Sequence, residues 1–361
     1  MFDNSFPPAQ SILRREPPIG TAIVGYGYWG PNLARNVAEC PELRLEALCD
    51  LDPANLNLFS RRHPEARAVS DLDAVLVDPA IEAVVIATPP QTHHALAKRA
   101  LEAGKHVLVE KPLATRLEDA LDLADVAAAN KRLLMPGHTF IYSPAVNTVR
   151  DLLHQGVIGD VHFVTSSRMN LGKYNEDGVV CDLAPHDLSI LLYWLQDPVV
   201  EVAVSGSSVL RQGVSETAFM TLTFEQGQTA NVQISWLAPR KVRQMIVVGS
   251  QRMVQYDDTA SDEPVRIYDR GMDMLPPTPA NFGEHQLIYR TGDVLIPRVE
   301  PKEPLRLELE DFARSIRTGE EPRSSLALGI EIVATIELAE ESMRRNGAPL
   351  SLPVLADKAA A

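Results

Sequence analysis

The sequence predicts an α/β domain with a doubly wound parallel sheet, followed by an α+β domain built on a large mixed or antiparallel open-faced sheet. Three observations carry this. From Thr21 to His138 short apolar runs alternate with amphipathic stretches, the rhythm of parallel strands joined by crossover helices. Beyond Pro198 come long segments of period-2 and β-branched character with little helix between them, the habit of antiparallel or mixed sheets. The 361 residues also exceed one ordinary core and point to two domains.

Taken in order, residues 1–18 read as a flexible leader, with neither the apolar core nor the small-residue cleavage site of a signal peptide. TAIVG, from Thr21, is an apolar run that stops at a glycine-rich turn, as a buried strand does. PNLARNVAEC follows with apolar positions at helical spacing, then the strand RLEALCD ending at Asp50. NLNLFSRRHP and DLDAVLVDP read as helices, and AVVIATPP as a third strand. THHALAKRALEAGK is a helix with Gly104 just past its end, a favoured C-cap. HVLVEKP is a fourth strand, LEDALDLADVAAANK a long helix, and LLMPGHT a fifth strand closing the first domain at residues 19–138.

The second domain, residues 139–361, opens with the helix SPAVNTVRDLLHQG, stopped by Gly156. VHFVTSSRMN is strand-like, and CDLAPHDLSILLYWLQ is a helix carrying Asp182 and His186. EVAVSGSSVL, TAFMTLTFEQGQTANVQISWL, RQMIVVGSQRMVQYDD and PVRIYDRG supply the sheet, with a hairpin turn at EQGQ. The segment 274–285 reads as loop, and two helices, LRLELEDFARSIRTG and ALGIEIVATIELAEESMRRNG, close the chain.

Composition sets further bounds. A net charge of -14 argues against nucleic acid and anionic membranes, which want a basic face. No apolar run reaches the roughly 18 to 20 residues of a membrane span. Cys40, Cys49 and Cys181 lie far apart and fit neither a disulfide framework nor a zinc spacing. They read as reduced thiols, and the expected location is cytoplasmic. No metal is expected, because no compact His, Cys and carboxylate set appears and hydride chemistry needs none.

Chemistry enters at Gly25-Tyr26-Gly27-Tyr28-Trp29-Gly30, a GxGxxG between a predicted strand and helix. The first glycine permits the tight turn, the second lets the backbone approach a pyrophosphate, and the third lets helix and strand pack closely. The helix start then offers unpaired N–H groups to phosphates. Asp50 lies twenty residues past Gly30, at the end of the second strand. A carboxylate there accepts from the adenosine ribose hydroxyls and repels a 2′-phosphate, favouring NAD over NADP.

Glu110-Lys111-Pro112 ends the fourth strand, where an open α/β sheet faces its ligand crevice. Asp182 and His186, four apart on a helix, share one face. A histidine near neutrality suits the removal of a hydroxyl proton, and a lysine suits a developing alkoxide. Taken alone, Lys111 also fits a solvated charge and His186 a satisfied core histidine. His138, Tyr142, Arg168, Asn170 and Tyr174 fall in segments able to line the crevice between the domains, with Tyr142, Arg168 and Asn170 the candidate substrate contacts. Each also fits a purely structural role. His93 and His94 open a helix and suit the surface or a supporting layer.

AIVGYGYWG, ATPPQTHHALAKRALEAGKHVLVEKPLA and the Asp182–His186 pair together resemble the Gfo/Idh/MocA family of NAD(P)-dependent oxidoreductases. The similarity covers nearly the whole chain after the leader, and the block 88–112 is highly specific. The resemblance implies that Lys111 contacts the reacting hydroxyl, that His186 is the acid/base, and that Asp182 is its carboxylate neighbour. It places Thr88, Pro89, His93 and Glu110 beside the cofactor, with Gly25, Gly27, Tyr28, Trp29, Gly30 and Asp50. The chain departs from the commoner glycine-rich histidine segment at Leu183-Ala184-Pro185, so an inositol substrate does not carry over directly. GHTFIYSPAV, RMNLG and DLAPHDLSILLY resemble a subgroup associated with surface-polysaccharide sugars. This implies oxidation at C3 of a nucleotide-linked sugar and a homodimer or homotetramer through the second sheet. A cyclitol dehydrogenase, a keto-sugar reductase using NADPH, and a non-catalytic NAD-binding sensor or scaffold remain open at this point.

Overall fold

The computed structural model describes residues 17–172, 176–275 and 286–353. The first domain runs β1 (Ile19–Val24), α1 (Gly30–Glu39), β2 (Leu43–Cys49), α2 (Pro53–Arg62), β3 (Arg67–Val69), α3 (Asp73–Leu76), β4 (Ala83–Ile86), α4 (His93–Glu102), β5 (His106–Glu110), α5 (Leu117–Asn130) and β6 (Leu134–Gly137). Its six strands lie in the order β3-β2-β1-β4-β5-β6, all parallel. The order reverses between β1 and β4, and the crevice beyond the strand ends at such a point is where open α/β sheets bind ligands. The parallel expectation holds, with one strand more than predicted. Arg67–Val69 is only three residues at the sheet edge, too short to show an apolar run or an alternation.

The second domain begins with a short 3-10 turn at Thr139–Tyr142 and continues through α6 (Pro144–His154), β7 (Val161–Leu171), α7 (Gly178–Leu195), β8 (Val199–Ser207), β9 (Thr217–Phe224), β10 (Thr229–Ser235), β11 (Leu237–Gly249), β12 (Met253–Asp257), β13 (Val265–Tyr268), β14 (Gly271–Leu275), β15 (Gln286–Arg290), β16 (Val294–Leu295), α8 (Pro304–Thr318), α9 (Leu326–Arg344) and β17 (Leu350–Ser351). Nine strands form one sheet in the order β16-β13-β12-β11-β7-β10-β9-β8-β17. Among the described residues only β7 and β10 pair in parallel in this sheet, so it is mixed. The segment expected as loop begins later than predicted. Met274 and Leu275 end β14, which pairs with β15, and residues 276–285 lie outside the described set.

One face of the large sheet carries the core. Ala218, Met220, Leu222 and Phe224 alternate along β9 and pack with Leu188, Leu191 and Trp194 of α7, each large side chain contributing about 1.5–3 kcal/mol by leaving water. The opposite face leaves Phe163 and Phe219 exposed.

The closing helices return to the first domain. Leu305, Leu309, Phe312 and Ala313 of α8 share a cluster with Ile23, Leu33 and Met135. Helix α9 contributes Ile330 and Val333 to the first domain's core, and Ile332, Ile336 and Ala339 to the second. That shared helix ties the two sheets into one body and sets the crevice between them. Among the described residues no helix is long and apolar enough to cross a membrane.

Candidate active site

The glycine turn divides its work among three positions. Gly25 has φ +97°, and a Cβ there would lie 2.6 Å from the Ala87 carbonyl oxygen. A Cβ on Gly30 would sit 2.5 Å from the Gly25 carbonyl oxygen, so helix α1 packs against the turn only without a side chain. Gly27 is different, because a Cβ there would meet no atom within 4 Å. Helix α1 also starts without a side-chain cap; Pro31 carries no N–H and the Asn32 N–H donates to the Trp29 carbonyl at 3.0 Å, so of its first three residues Gly30 is the one whose N–H can meet a ligand. The open space over Gly27, beside a helix start without a side-chain cap, fits a dinucleotide pyrophosphate. The Tyr28 side chain is 86% exposed, and Trp29 is half-buried with its indole toward Glu110.

Asp50 closes the next side of the cradle. Its Oδ2 accepts from the Tyr26 backbone N–H at 2.6 Å and from Asn55 Nδ2 at 3.2 Å, and its Oδ1 from the Asp52 N–H at 2.7 Å. Tyr26 is buried edge-on against Phe59 of α2, with centroids 5.4 Å apart. The carboxylate therefore sets the turn's shape and is itself pinned at a strand end, with one acceptor site, on Oδ1, remaining for a ribose hydroxyl.

Thr88 follows β4, with its Oγ1 2.7 Å from Thr92 Oγ1, and Pro89 is exposed beside it. His93 is the first residue of α4. It is buried, with Nδ1 2.8 Å from the Pro112 carbonyl and Nε2 2.9 Å from the Thr88 carbonyl. Burial lowers its pKa, and the ring acts as a strut between the Thr88 segment and the cis Lys111–Pro112 peptide. His94 reaches Asp122 at 2.7 Å on the helix surface.

At the end of β5 the Lys111 ammonium donates to Asp182 Oδ1 at 3.1 Å and to the Asp182 backbone carbonyl at 2.8 Å. Asp182 Oδ2 accepts from Trp236 Nε1 at 3.1 Å. The carboxylate is thus held at both oxygens, and it holds the lysine. His186, one turn along α7, is half-buried, with its ring 4.9 Å from Phe140 in an edge-on arrangement. Burial first, then the charges of Lys111, Arg168 and Arg243, hold its pKa well below the ordinary 6.5. The imidazole is therefore neutral at physiological pH, the form able to accept a proton. Two elements 71 residues apart meet here.

Glu110 lies under this group. Its Oε1 is sealed from solvent without a partner among the described residues, and burial pushes its pKa up to about 7 against the opposing pull of the Lys111 charge. Glu308 of α8 is fully buried nearby, accepting from Thr139 Oγ1 at 2.8 Å, and burial together with the Glu110 charge raises its pKa as well.

The remaining candidates divide. Arg168 is 2% exposed, its Nε donates to Asp187 Oδ2 at 2.7 Å, and its guanidinium lies 4.5 Å from the Phe140 ring centroid. It backs the wall behind His186 instead of pointing into open space. Tyr142 is likewise interior: its hydroxyl donates to Asp311 Oδ2 at 2.8 Å and accepts from the Ser324 N–H at 3.0 Å. Asn170 is half-buried on β7, two residues from Arg168 and so on the same face of the strand. Tyr174 lies outside the described residues. His138, next after β6, is 2% exposed.

Sequence reasoning passed over Trp236, Phe140, Arg243 and Glu308. Glu308 had a usable signal, because it interrupts the apolar stripe Leu305, Leu309, Phe312 of α8 with a charge. Trp236 and Phe140 had none, since nothing local ties them to Asp182 or His186.

A parallel nucleotide-binding sheet with a lysine, carboxylate and histidine meeting at its strand ends defines a dinucleotide-dependent oxidoreductase. The comparisons agree. Residues 19–138 match the family model described as the oxidoreductase family with an NAD-binding Rossmann fold, and residues 146–255 match the model of the GFO/IDH/MocA C-terminal domain. The chain belongs to the Gfo/Idh/MocA oxidoreductase family, a family of NAD(P)-binding enzymes acting on sugars and related compounds. It is 28% identical to the UDP-N-acetylglucosamine 3-dehydrogenase of Acidithiobacillus ferrooxidans over 88% of this chain and 97% of that one. It is 24% identical to the uncharacterized oxidoreductase YrbE of Bacillus subtilis over 92% and 96% of the two chains. An Agrobacterium radiobacter oxidoreductase, solved with NAD+, L-tartaric acid and magnesium, superposes with a TM-score of 0.76 at 20% identity, over 92% of this chain and 98% of that one.

Proposed function

We propose that the protein oxidises a secondary hydroxyl of a sugar, at C3 of a nucleotide-linked sugar, with NAD as the hydride acceptor. The observation that carries this is the Lys111–Asp182–Trp236 clamp beside a neutral His186 at the strand-end crevice. The full-length similarity to a UDP-N-acetylglucosamine 3-dehydrogenase supports the substrate class. The glycine turn, the start of α1, Asp50, Thr88, Pro89 and Glu110 are the residues that would hold the cofactor, and when bound it supplies the acceptor for the hydride. Asp50, with no basic residue directly after it, supports NAD over NADP.

The chain's own residues handle the proton. The Lys111 ammonium, aimed by Asp182, stabilises the negative charge growing on the substrate oxygen. His186 takes the hydroxyl proton on a ring nitrogen as the carbon–hydrogen bond breaks and the carbonyl forms. In the reverse direction the same histidine returns that proton. Arg168 and Phe140 fix the wall against which the imidazole stands, so the base keeps its orientation through the cycle.

The test is turnover with a panel of nucleotide sugars, free sugars and cyclitols, each with NAD+ and with NADP+, read by absorbance of the reduced cofactor. We expect reduction of NAD+ with a UDP-linked hexosamine or its uronate. Turnover confined to free cyclitols, a preference for NADP+, or tight NADH binding with no turnover at all would each overturn part of this reading. We also propose that the uncovered face of the large sheet, with Phe163 and Phe219 exposed, joins subunits in a homodimer or homotetramer. A monomer by light scattering would refute it.

A further inference from the structure

Strand β11 slips its register with β7 beside the active site. Leu237 pairs with Leu171 and Val242 with Met169, so residues 238–241 stand opposite the single residue Asn170. Bulges of this kind re-aim side chains next to functional sites. Both ends of this one belong to the site. Trp236, just before it, donates to Asp182. Arg243, just after it, lies 5.7 Å from the Phe140 ring centroid, and its charge helps to depress the His186 pKa.

Arg243 is also the cross-strand partner of Arg168, so two guanidinium groups share one face of the sheet. Like charges directly opposite destabilise a sheet, and here each has its own carboxylate, Asp187 for Arg168 at 2.7 Å and Asp258 for Arg243 at 3.0 Å. Side chains two apart on a strand share a face, so this face continues outward from Arg168 to Asn170 and from Arg243 to Lys241. Exposure rises along the row: Arg168 is buried, Asn170 and Arg243 are half-buried, and Lys241 is exposed. The outermost cation is also the one without a counter-charge. Among the described residues neither Lys241 nor its exposed neighbour Arg240 has a hydrogen-bond or ion-pair partner for its side chain, in a chain of net charge -14.

We propose that Lys241 is a substrate-binding residue: its ammonium, with Asn170 opposite and Arg240 adding charge, holds a phosphate of the nucleotide-linked substrate at the outer end of this row. The proposal rests on the nucleotide-sugar reading above and assigns residues to the part of the substrate that does not react. The reacting carbon belongs at Lys111 and His186, at the inner end. A substituent on another carbon of the ring extends away from that point, and Lys241 stands two residues, about 7 Å, farther along β11 than Arg243. Phosphate oxygens want donors and positive charge that no carboxylate has already neutralised. The inner arginines are engaged by Asp187 and Asp258, and Lys241 is not.

The experiment uses the full chain saturated with NADH, so that the cofactor site is closed to other nucleotides. UDP, inorganic pyrophosphate, uridine and glucuronate are titrated calorimetrically into the wild type, Lys241→Gln and the Arg240→Gln/Lys241→Gln double variant. We expect UDP and pyrophosphate to bind, with each Kd rising about tenfold in Lys241→Gln and further in the double variant. Lys241→Arg should recover part of the loss. Lys302→Gln, the same charge change at another exposed position, should leave UDP binding as in wild type. With UDP-N-acetylglucosamine as substrate, Lys241→Gln should raise KM by about the same factor with kcat little changed. UDP binding that is absent from the wild type, equal in wild type and Lys241→Gln, or no tighter than that of uridine would overturn the proposal. An equal loss in Lys302→Gln would reduce the effect to net charge and overturn it too. So would a loss confined to glucuronate, which would make this a carboxylate contact, or a matching fall in NADH affinity, which would assign Lys241 to the cofactor. UDP binding that falls in Lys241→Gln, without turnover of UDP-N-acetylglucosamine, would support the phosphate contact while counting against the oxidation chemistry.

Discussion

The two walls of the crevice are built by different means. The dinucleotide wall, from Gly25 to Asp50, is mostly backbone: a turn with glycine at three of its six positions, a helix start without a side-chain cap, and a carboxylate that braces that turn through the Tyr26 N–H. The opposite wall is made of side chains drawn from one helix and three connecting segments. Lys111 follows β5, His138 follows β6, Asp182 and His186 lie on α7, and Trp236 falls between β10 and β11. Recognition of phosphate needs only fixed N–H groups, which a local sequence can arrange. Proton handling needs donors and acceptors at set distances with tuned pKa values, and that takes long-range packing.

The comparison is tested most severely by removing one of the proposed proton-handling groups at a time. Lys111→Ala and His186→Ala should each lower turnover by about 10²–10⁴-fold while NADH affinity, measured by fluorescence titration, stays within a few-fold of wild type. Near-normal turnover in both would mean that the side-chain wall does not do the chemistry.

A smaller effect separates glycines within the backbone wall. Gly27→Ala should leave the thermal midpoint unchanged, because a Cβ there meets nothing, yet weaken NADH binding about tenfold or more by occupying the cradle. Gly30→Ala should instead destabilise the fold by about 1–3 kcal/mol, since its Cβ would press on the Gly25 carbonyl. Equal loss of stability in both would erase the distinction between a packing glycine and a ligand glycine.

The smallest effect is in pH. The side-chain wall should carry two opposed dependences that the backbone wall lacks. His138 has an ordinary pKa of 6.5 and about 3 in the fold, so its contribution to stability is present above 6.5 and is lost as pH falls toward 3. Glu110 is raised from 4.5 to about 7, so stability is greatest below 4.5 and declines as pH rises through that window. His138→Phe should flatten the acid limb of a plot of thermal midpoint against pH, and Glu110→Gln the limb between about 4.5 and 7, each by a few degrees. Gly27→Ala should leave both limbs as in wild type. A profile unchanged by His138→Phe would show that the histidine is not buried as a neutral ring.

Much of the fold was legible for local reasons. Apolar runs broken by glycine turns located five of the six parallel strands, and period-2 stretches located the long strands of the second sheet. The edge strand Arg67–Val69 escaped because three residues carry no period. In the site, Asp50, Lys111, Asp182 and His186 could be picked from motif and spacing. Their mutual geometry could not, because the Lys111–Asp182 contact spans 71 positions. Nor could spacing foresee that His93, expected beside the cofactor, stands buried with its ring nitrogens 2.8 and 2.9 Å from the Pro112 and Thr88 carbonyls. Tyr142 and Arg168, expected as substrate contacts, hydrogen-bond Asp311 and Asp187 in the interior, partners that local sequence does not disclose. Periodicity reports which face is buried, and it says nothing about which polar group waits on the other side.

By itself, then, the sequence determined the alternation of strands and helices and the glycine turn with its acidic partner, and it put forward the residue types proposed to move a proton. Those depend on neighbours a few positions apart, whose geometry the backbone fixes. Only the tertiary structure decided that α9 binds the two sheets together, that Trp236 and Lys111 grip Asp182 from two sides, and that His138 stands sealed and unpaired beside them. Burial and partnership are properties of what packs around a side chain, and for these residues the packing comes from distant parts of the chain.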